Sequence, residues 1–143
     1  FFTENYIIKA AKEKRLEKIT VEVDDGPYVY DPNIAHDFVL IFNKDGVNAK
    51  LVENGIKKYN TRTLKTERLS LDEKRDMIVV SNMRNKKQAM MYFRAIISNR
   101  HLFDQVEKSG YRNFIISKDN FEVFKNLMDT DQYLKFFSKR YLN

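Results

Sequence analysis

At 143 residues with 43% apolar content, eleven Phe and eight Tyr, the chain holds enough for one folded domain and is excluded from the low-hydrophobicity compositions that stay disordered. With no Cys it can form neither a disulfide framework nor a thiolate metal site. A net charge of +6 permits attraction to nucleic acid, anionic lipid or an acidic protein face, but interleaving 26 basic with 20 acidic side chains points to a solvated surface more than a dedicated polyanion track.

In chain order, residues 1–18 can form a helix on an imperfect stripe of Ile7, Ile8, Ala11 and Leu16, and Ile19 to Val23 alternates as a short strand. Asp24-Asp25-Gly26-Pro27 is turn chemistry, because Gly accepts a positive φ and Pro fixes its own. Tyr28 to Ile34, with Pro32, reads as an extended lead-in. Residues 1–34 are therefore expected to be helix, short strand and linker, the end of an upstream region, and residues 35–143 the main domain.

His36 to Phe42 holds the run Phe38-Val39-Leu40-Ile41-Phe42, the pattern of a central strand covered on more than one side. Ala49, Val52, Ile56 and Tyr59 then recur at helical spacing, and Gly55 within that helix is expected to mark a close approach to the sheet. Leu64 to Leu71 reads as an edge strand, Asp72-Glu73-Lys74-Arg75 as a polar turn, and Met77-Ile78-Val79-Val80 as a buried strand. Asn85 with Gln88 three residues later forms a capping pair for a helix on which Ala89, Phe93, Ile96 and Ile97 continue as one face. A further turn or two over Arg100 to Lys108 ends at Gly110, and Tyr111 to Ser117 is a fourth strand. Two capped aromatic helices follow, one with Phe121, Phe124, Leu127 and Met128, the other with Tyr133, Leu134, Phe137 and Tyr141.

The resulting order β-α-β-β-α-β-α-α predicts an α+β, ferredoxin-like (SPOR-like) fold: a four-stranded antiparallel sheet with two helices on one face, plus two C-terminal helices covering an open part of the sheet or its edge.

The chemistry on offer is sparse. Neither His36 nor His101 has a second His or a carboxylate at metal-ligand spacing, and adjacent Asp24 and Asp25 before Gly-Pro belong to a turn. The four glycines stand singly, without a phosphate cradle, and no Gly-x-Ser-x-Gly elbow occurs. No catalytic residue, metal site or cofactor is expected, and the strand Met77-Ile78-Val79-Val80 lacks the stacking aromatics of an RNA-binding sheet. Two features point to contact with a partner. Arg84, Lys86 and Lys87 gather at a helix N-terminus, against the helix dipole. The aromatics Phe121, Phe124, Phe136, Phe137 and Tyr141 cannot all share one buried stripe, which leaves Phe136 and Tyr141 as candidate contacts.

Four segments carry a family resemblance: Ala35-His36-Asp37-Phe38-Val39-Leu40-Ile41-Phe42, Met83-Arg84-Asn85-Lys86-Lys87-Gln88-Ala89-Met90-Met91-Tyr92, Tyr111-Arg112-Asn113-Phe114-Ile115-Ile116-Ser117 and Asp131-Gln132-Tyr133-Leu134-Lys135-Phe136-Phe137. Through them, Tyr30 to Leu142 resembles the C-terminal domain of the PorW/SprE-type tetratricopeptide-repeat lipoproteins of Bacteroidota, which serve type IX secretion and gliding motility. The resemblance implies a non-catalytic scaffold domain on the periplasmic side of the outer membrane, with repeats and a lipidated Cys outside this segment and an envelope or secretion-machinery protein as partner. Membrane association would come only through that lipid anchor. The strand order is also that of small SPOR domains, making peptidoglycan glycan the alternative ligand and nucleic acid a distant third.

Overall fold

The computed structural model describes residues 25–143, so the helix expected over residues 1–18 and the strand from Ile19 to Val23 lie outside the described residues. Strands β1 (His36–Asn43), β2 (Lys65–Ser70), β3 (Arg75–Met83) and β4 (Tyr111–Ser117) alternate with helices α1 (Ala49–Tyr59), α2 (Lys86–Ser98), α3 (Lys118–Leu127) and α4 (Thr130–Tyr141). The strands form one antiparallel sheet in the order β2-β3-β1-β4. The fold is α+β, and its strand order and crossovers fit the ferredoxin-like arrangement.

Side-chain parity explains where the helices sit, because residues paired across an antiparallel ladder share a face. Leu40, Ile78 and Arg68 lie on one face, where Arg68 meets Glu53 of α1 at 3.3 Å. Phe38 is on the same side, its ring 5.5 Å from Tyr92 and 6.3 Å from Phe93 of α2. Val39 and Phe114 face the other way, and there Phe114 lies 5.5 Å from Phe124 of α3. Helices on both faces account for the uninterrupted apolar run of β1, no residue of which from Phe38 to Phe42 is more than 3% exposed.

Helix α4 lies against edge strand β4, where the Tyr133 hydroxyl donates to the Ile115 carbonyl at 2.6 Å. Phe137 reaches α2, its ring 5.4 Å from Phe93, so α4 joins the two helical layers. This geometry corrects the expectation for the aromatic set. Phe121, Phe124, Phe136, Phe137 and Tyr141 are all 5% exposed or less. One helix cannot bury them on one stripe, but two stripes on two helices can, and these meet around Phe114 and Tyr133, whose rings are 4.7 Å apart. Each buried Phe of this kind contributes about 2–3 kcal/mol of apolar transfer.

The packed body extends past the expected boundary at residue 34. Tyr28 is buried with its ring 4.9 Å from Tyr133, and Asn120 holds both the Val29 N–H (3.1 Å) and the Val29 carbonyl (2.8 Å). Arg140 donates to both carboxylate oxygens of Asp25, at 3.1 and 2.6 Å. Residues 25–34 are thus strapped across α3 and α4. The close approach expected at Gly55 is absent: a Cβ there would meet nothing within 4 Å. Near the end of β3 an extra residue opposes β1, and Asn82 there takes φ +75, a left-handed conformation that Asn tolerates better than most side chains. Such a bulge turns the strand end toward the entry of α2.

Candidate interaction surface on the second helix

Helix α2 begins where the sequence puts it. The Asn85 side chain accepts from the Gln88 N–H at 2.9 Å, and Gln88 reaches back with Oε1 to the Arg84 N–H at 2.7 Å. Its inner stripe, Ala89, Met90, Phe93 and Ile96, is buried. Lys87, Met91 and Arg94, spaced i, i+4 and i+7, fall on one outer stripe and are all exposed, Met91 to 65%.

The charge on this helix has one sign. No Asp or Glu occurs between Asp76 and Asp104, a stretch holding Arg84, Lys86, Lys87, Arg94 and Arg100. Residues 1–24 carry five basic and five acidic side chains, so the whole excess of +6 belongs to residues 25–143. Among the described residues, no carboxylate pairs with Arg84, Lys87 or Arg94. Helices α3 and α4 follow the helix dipole, with Asp119 and Asp131 in their first turns and Lys125, Lys139 and Arg140 in their last. Helix α2 opposes it: Lys86 and Lys87 stand in the first turn, with no acid there and no base in the last.

A groove of about 600 Å³, open to solvent, runs beside this stripe between α2, the Pro32 turn and the end of α4. The buried Met90 and Tyr141 underlie it, the exposed Met91 borders it, and Lys86, Lys87 and Arg94 line it with positive charge. By contrast, a groove of about 410 Å³ elsewhere mixes Lys44 and Lys74 with Asp45 and Glu73.

The sequence-predicted contact residues separate into three kinds. Arg84 and Lys87 are exposed and free of ion pairs among the described residues, as a contact requires. Lys86 is an internal anchor: its Nζ donates to the Tyr30 hydroxyl at 2.7 Å and the Arg140 carbonyl at 3.0 Å, lying 5.0 and 5.1 Å from the Tyr30 and Tyr141 ring centroids. Its charge still lines the groove. Phe136 and Tyr141 are corrected, being 2% and 3% exposed. Phe136 packs on Tyr28 and Tyr133, and Tyr141 is bonded to His36. Met91 and Arg94 are gained from the structure; the absence of acids along α2 was the available signal.

Both histidines have defined surroundings. His36 is buried, with Nδ1 2.8 Å from the Ile34 carbonyl and Nε2 2.7 Å from the Tyr141 hydroxyl. A carbonyl only accepts, so Nδ1 carries the proton and the Tyr141 hydroxyl donates to Nε2. Burial pushes the imidazole pKa below its ordinary value, and the bond to Ile34 opposes that only in part. His101 is on the surface beside Asp104, at 3.3 Å. Among the described residues Asp37, 1% exposed, is the most enclosed carboxylate: desolvation raises its pKa, Lys118 at 3.5 Å pulls it down, and Oδ1 lacks a hydrogen bond. Among the described residues, no three His, Asp or Glu side chains converge as a metal site, and no helix is long and apolar enough to cross a membrane.

Compared with known proteins, the chain matches no family model, no curated protein and no solved structure.

Proposed function

We propose that this domain is a non-catalytic protein-binding or scaffold module of a cell-envelope lipoprotein, of the kind used in type IX secretion and gliding. The envelope setting is supported by the sequence resemblance, whose four segments correspond to β1, the entry to α2, β4 and the first half of α4. The binding role is supported by one observation above all: α2 exposes Lys87, Met91 and Arg94 in a row, Lys87 against the dipole and neither cation with a carboxylate partner among the described residues. Internal stability gives no reason for that choice, because like charges along a helix face cost a few tenths of a kcal/mol. A partner does.

Both sheet faces carry helices, so bases have no open aromatic platform to stack on, which favours a protein partner over RNA. The His36 ring nitrogens are engaged by Ile34 and Tyr141, which favours a structural role for that residue over a catalytic one. The test is affinity capture from an envelope extract with the isolated domain, followed by mass-spectrometric identification. The proposal expects one or a few envelope proteins enriched over a surface-scrambled control. Equal recovery on both would remove its support, and retention on purified sacculi without any protein would favour the glycan alternative.

A further inference from the structure

Resting on that binding role, we infer that the segment received by α2 is an acidic, amphipathic peptide, placing Asp or Glu against Lys87 and Arg94 and an apolar side chain against Met91. The spacing sets the register. Lys87 and Arg94 are seven residues apart on one helix, a rise of roughly 10 Å, with the exposed Met91 between them. A partner helix that repeats acid, apolar, acid at i, i+3 or i+4, and i+7 has the same rise and the opposite charge.

The exposed Met91, beside the groove floored by the buried Met90 and Tyr141, supplies the apolar half of the fit, and Met is the side chain best able to reshape around another apolar group. Lys86 adds a cation held in place by Tyr30 and by the Arg140 carbonyl, so that little side-chain order is lost when an anion arrives. A polynucleotide would satisfy the cations and leave the exposed Met91 without a partner, since the stripe offers no aromatic for a base to stack on. A flat anionic bilayer would meet Lys87 and Arg94 yet leave the concave groove unfilled.

The test uses fluorescence anisotropy of a labelled peptide of Glu and Leu in that register, titrated with the purified domain. A Lys-for-Glu peptide, a single-stranded oligonucleotide and phosphatidylglycerol vesicles serve as competitors. The expected result is binding of the acidic peptide that weakens with added salt, falls about tenfold or more in the double variant Lys87→Glu, Arg94→Glu, and falls severalfold in Met91→Ser. All three substituted side chains are exposed, so unchanged circular dichroism is expected to show the variants folded. Undiminished binding by the charge-reversed variant, or tighter binding of the oligonucleotide or vesicles, would overturn the inference. If the double variant still captures the same envelope proteins, the binding role stands and this surface is the wrong one. If the acidic peptide binds but no envelope protein is captured, the surface stands and the envelope assignment fails.

Discussion

Helices α2 and α4 are close in length, thirteen and twelve residues, and both pair apolar side chains with basic ones, yet they use them in opposite ways. In α4 the caps, terminal charges and aromatics have internal reasons: Asp129 caps it, Asp131 and Arg140 follow the dipole, Arg140 closes on Asp25, and Tyr133, Phe136, Phe137 and Tyr141 are buried. In α2 the inner stripe has such a reason and the outer stripe does not. Where local preference, packing and electrostatics agree, a segment is explained by its fold; where one departs without compensation, function is the place to look.

The largest effect that sharpens this contrast is expected from the aromatic centre. Phe114→Ala should destabilise the domain by about 3–5 kcal/mol, measured by chemical denaturation, because the rings of Phe124, Tyr133 and Phe137 cannot collapse fully into the space left. Next, Tyr133→Phe keeps the ring and removes only the bond to Ile115, with an expected loss of about 1–2 kcal/mol. A loss below a few tenths would mean that α4 leans on β4 through packing alone.

A pH series probes the end of α4. His36 is held below its usual pKa of 6.5, chiefly by desolvation, so below about pH 6.5 the unfolded chain takes up a proton that the folded chain resists. The stability contributed by the neutral ring is therefore complete above the unfolded value and is lost as pH falls through the folded one. Asp37 has the opposite sign. Burial raises its pKa, so its favourable contribution is present below about 3.8 and declines as pH rises through the folded value. Denaturation midpoints that fall on acidification below pH 6.5, with that slope reduced in His36→Gln, are the expected signature.

The smallest change is expected on α2. Lys87→Ala and Met91→Ala should each alter stability by less than about 0.5 kcal/mol, since neither side chain packs within the domain. A large loss in either would break the comparison by giving the outer stripe a structural duty.

Much of the architecture was legible in the chain. The apolar run of β1 and the cap Asn85 are local signals, and each is observed. What was illegible depends on distant residues. The strap formed by residues 25–34 is held by Asn120, ninety-one residues beyond Val29, and no periodicity reports such a bond. Strand β3 runs from Arg75 to Met83, beyond its apolar centre, because Asn43 and Lys65 on the neighbouring strands pair with Arg75 and Ser81. The misreading of Phe136 and Tyr141 has the same origin: Phe121 and Phe124 lie on α3 while Tyr133, Phe136, Phe137 and Tyr141 form one stripe of α4, and only the packing of the two helices against the sheet shows that both stripes are covered. On the candidate surface, Arg84 and Lys87 were visible as a charge cluster. Met91 and Arg94 also fall at helical spacing after Lys87, yet gain meaning only once α2 is seen to lack an acid nearby.

The central contrast is tested most directly by titrating the isotope-labelled domain with the acidic peptide and following backbone amide shifts by nuclear magnetic resonance. Perturbations concentrated between Arg84 and Arg94 and at Asn33, with amides around Phe114 and Tyr133 unmoved, are the predicted result. Shifts centred on α3 and α4 instead, or none at saturating peptide, would contradict it.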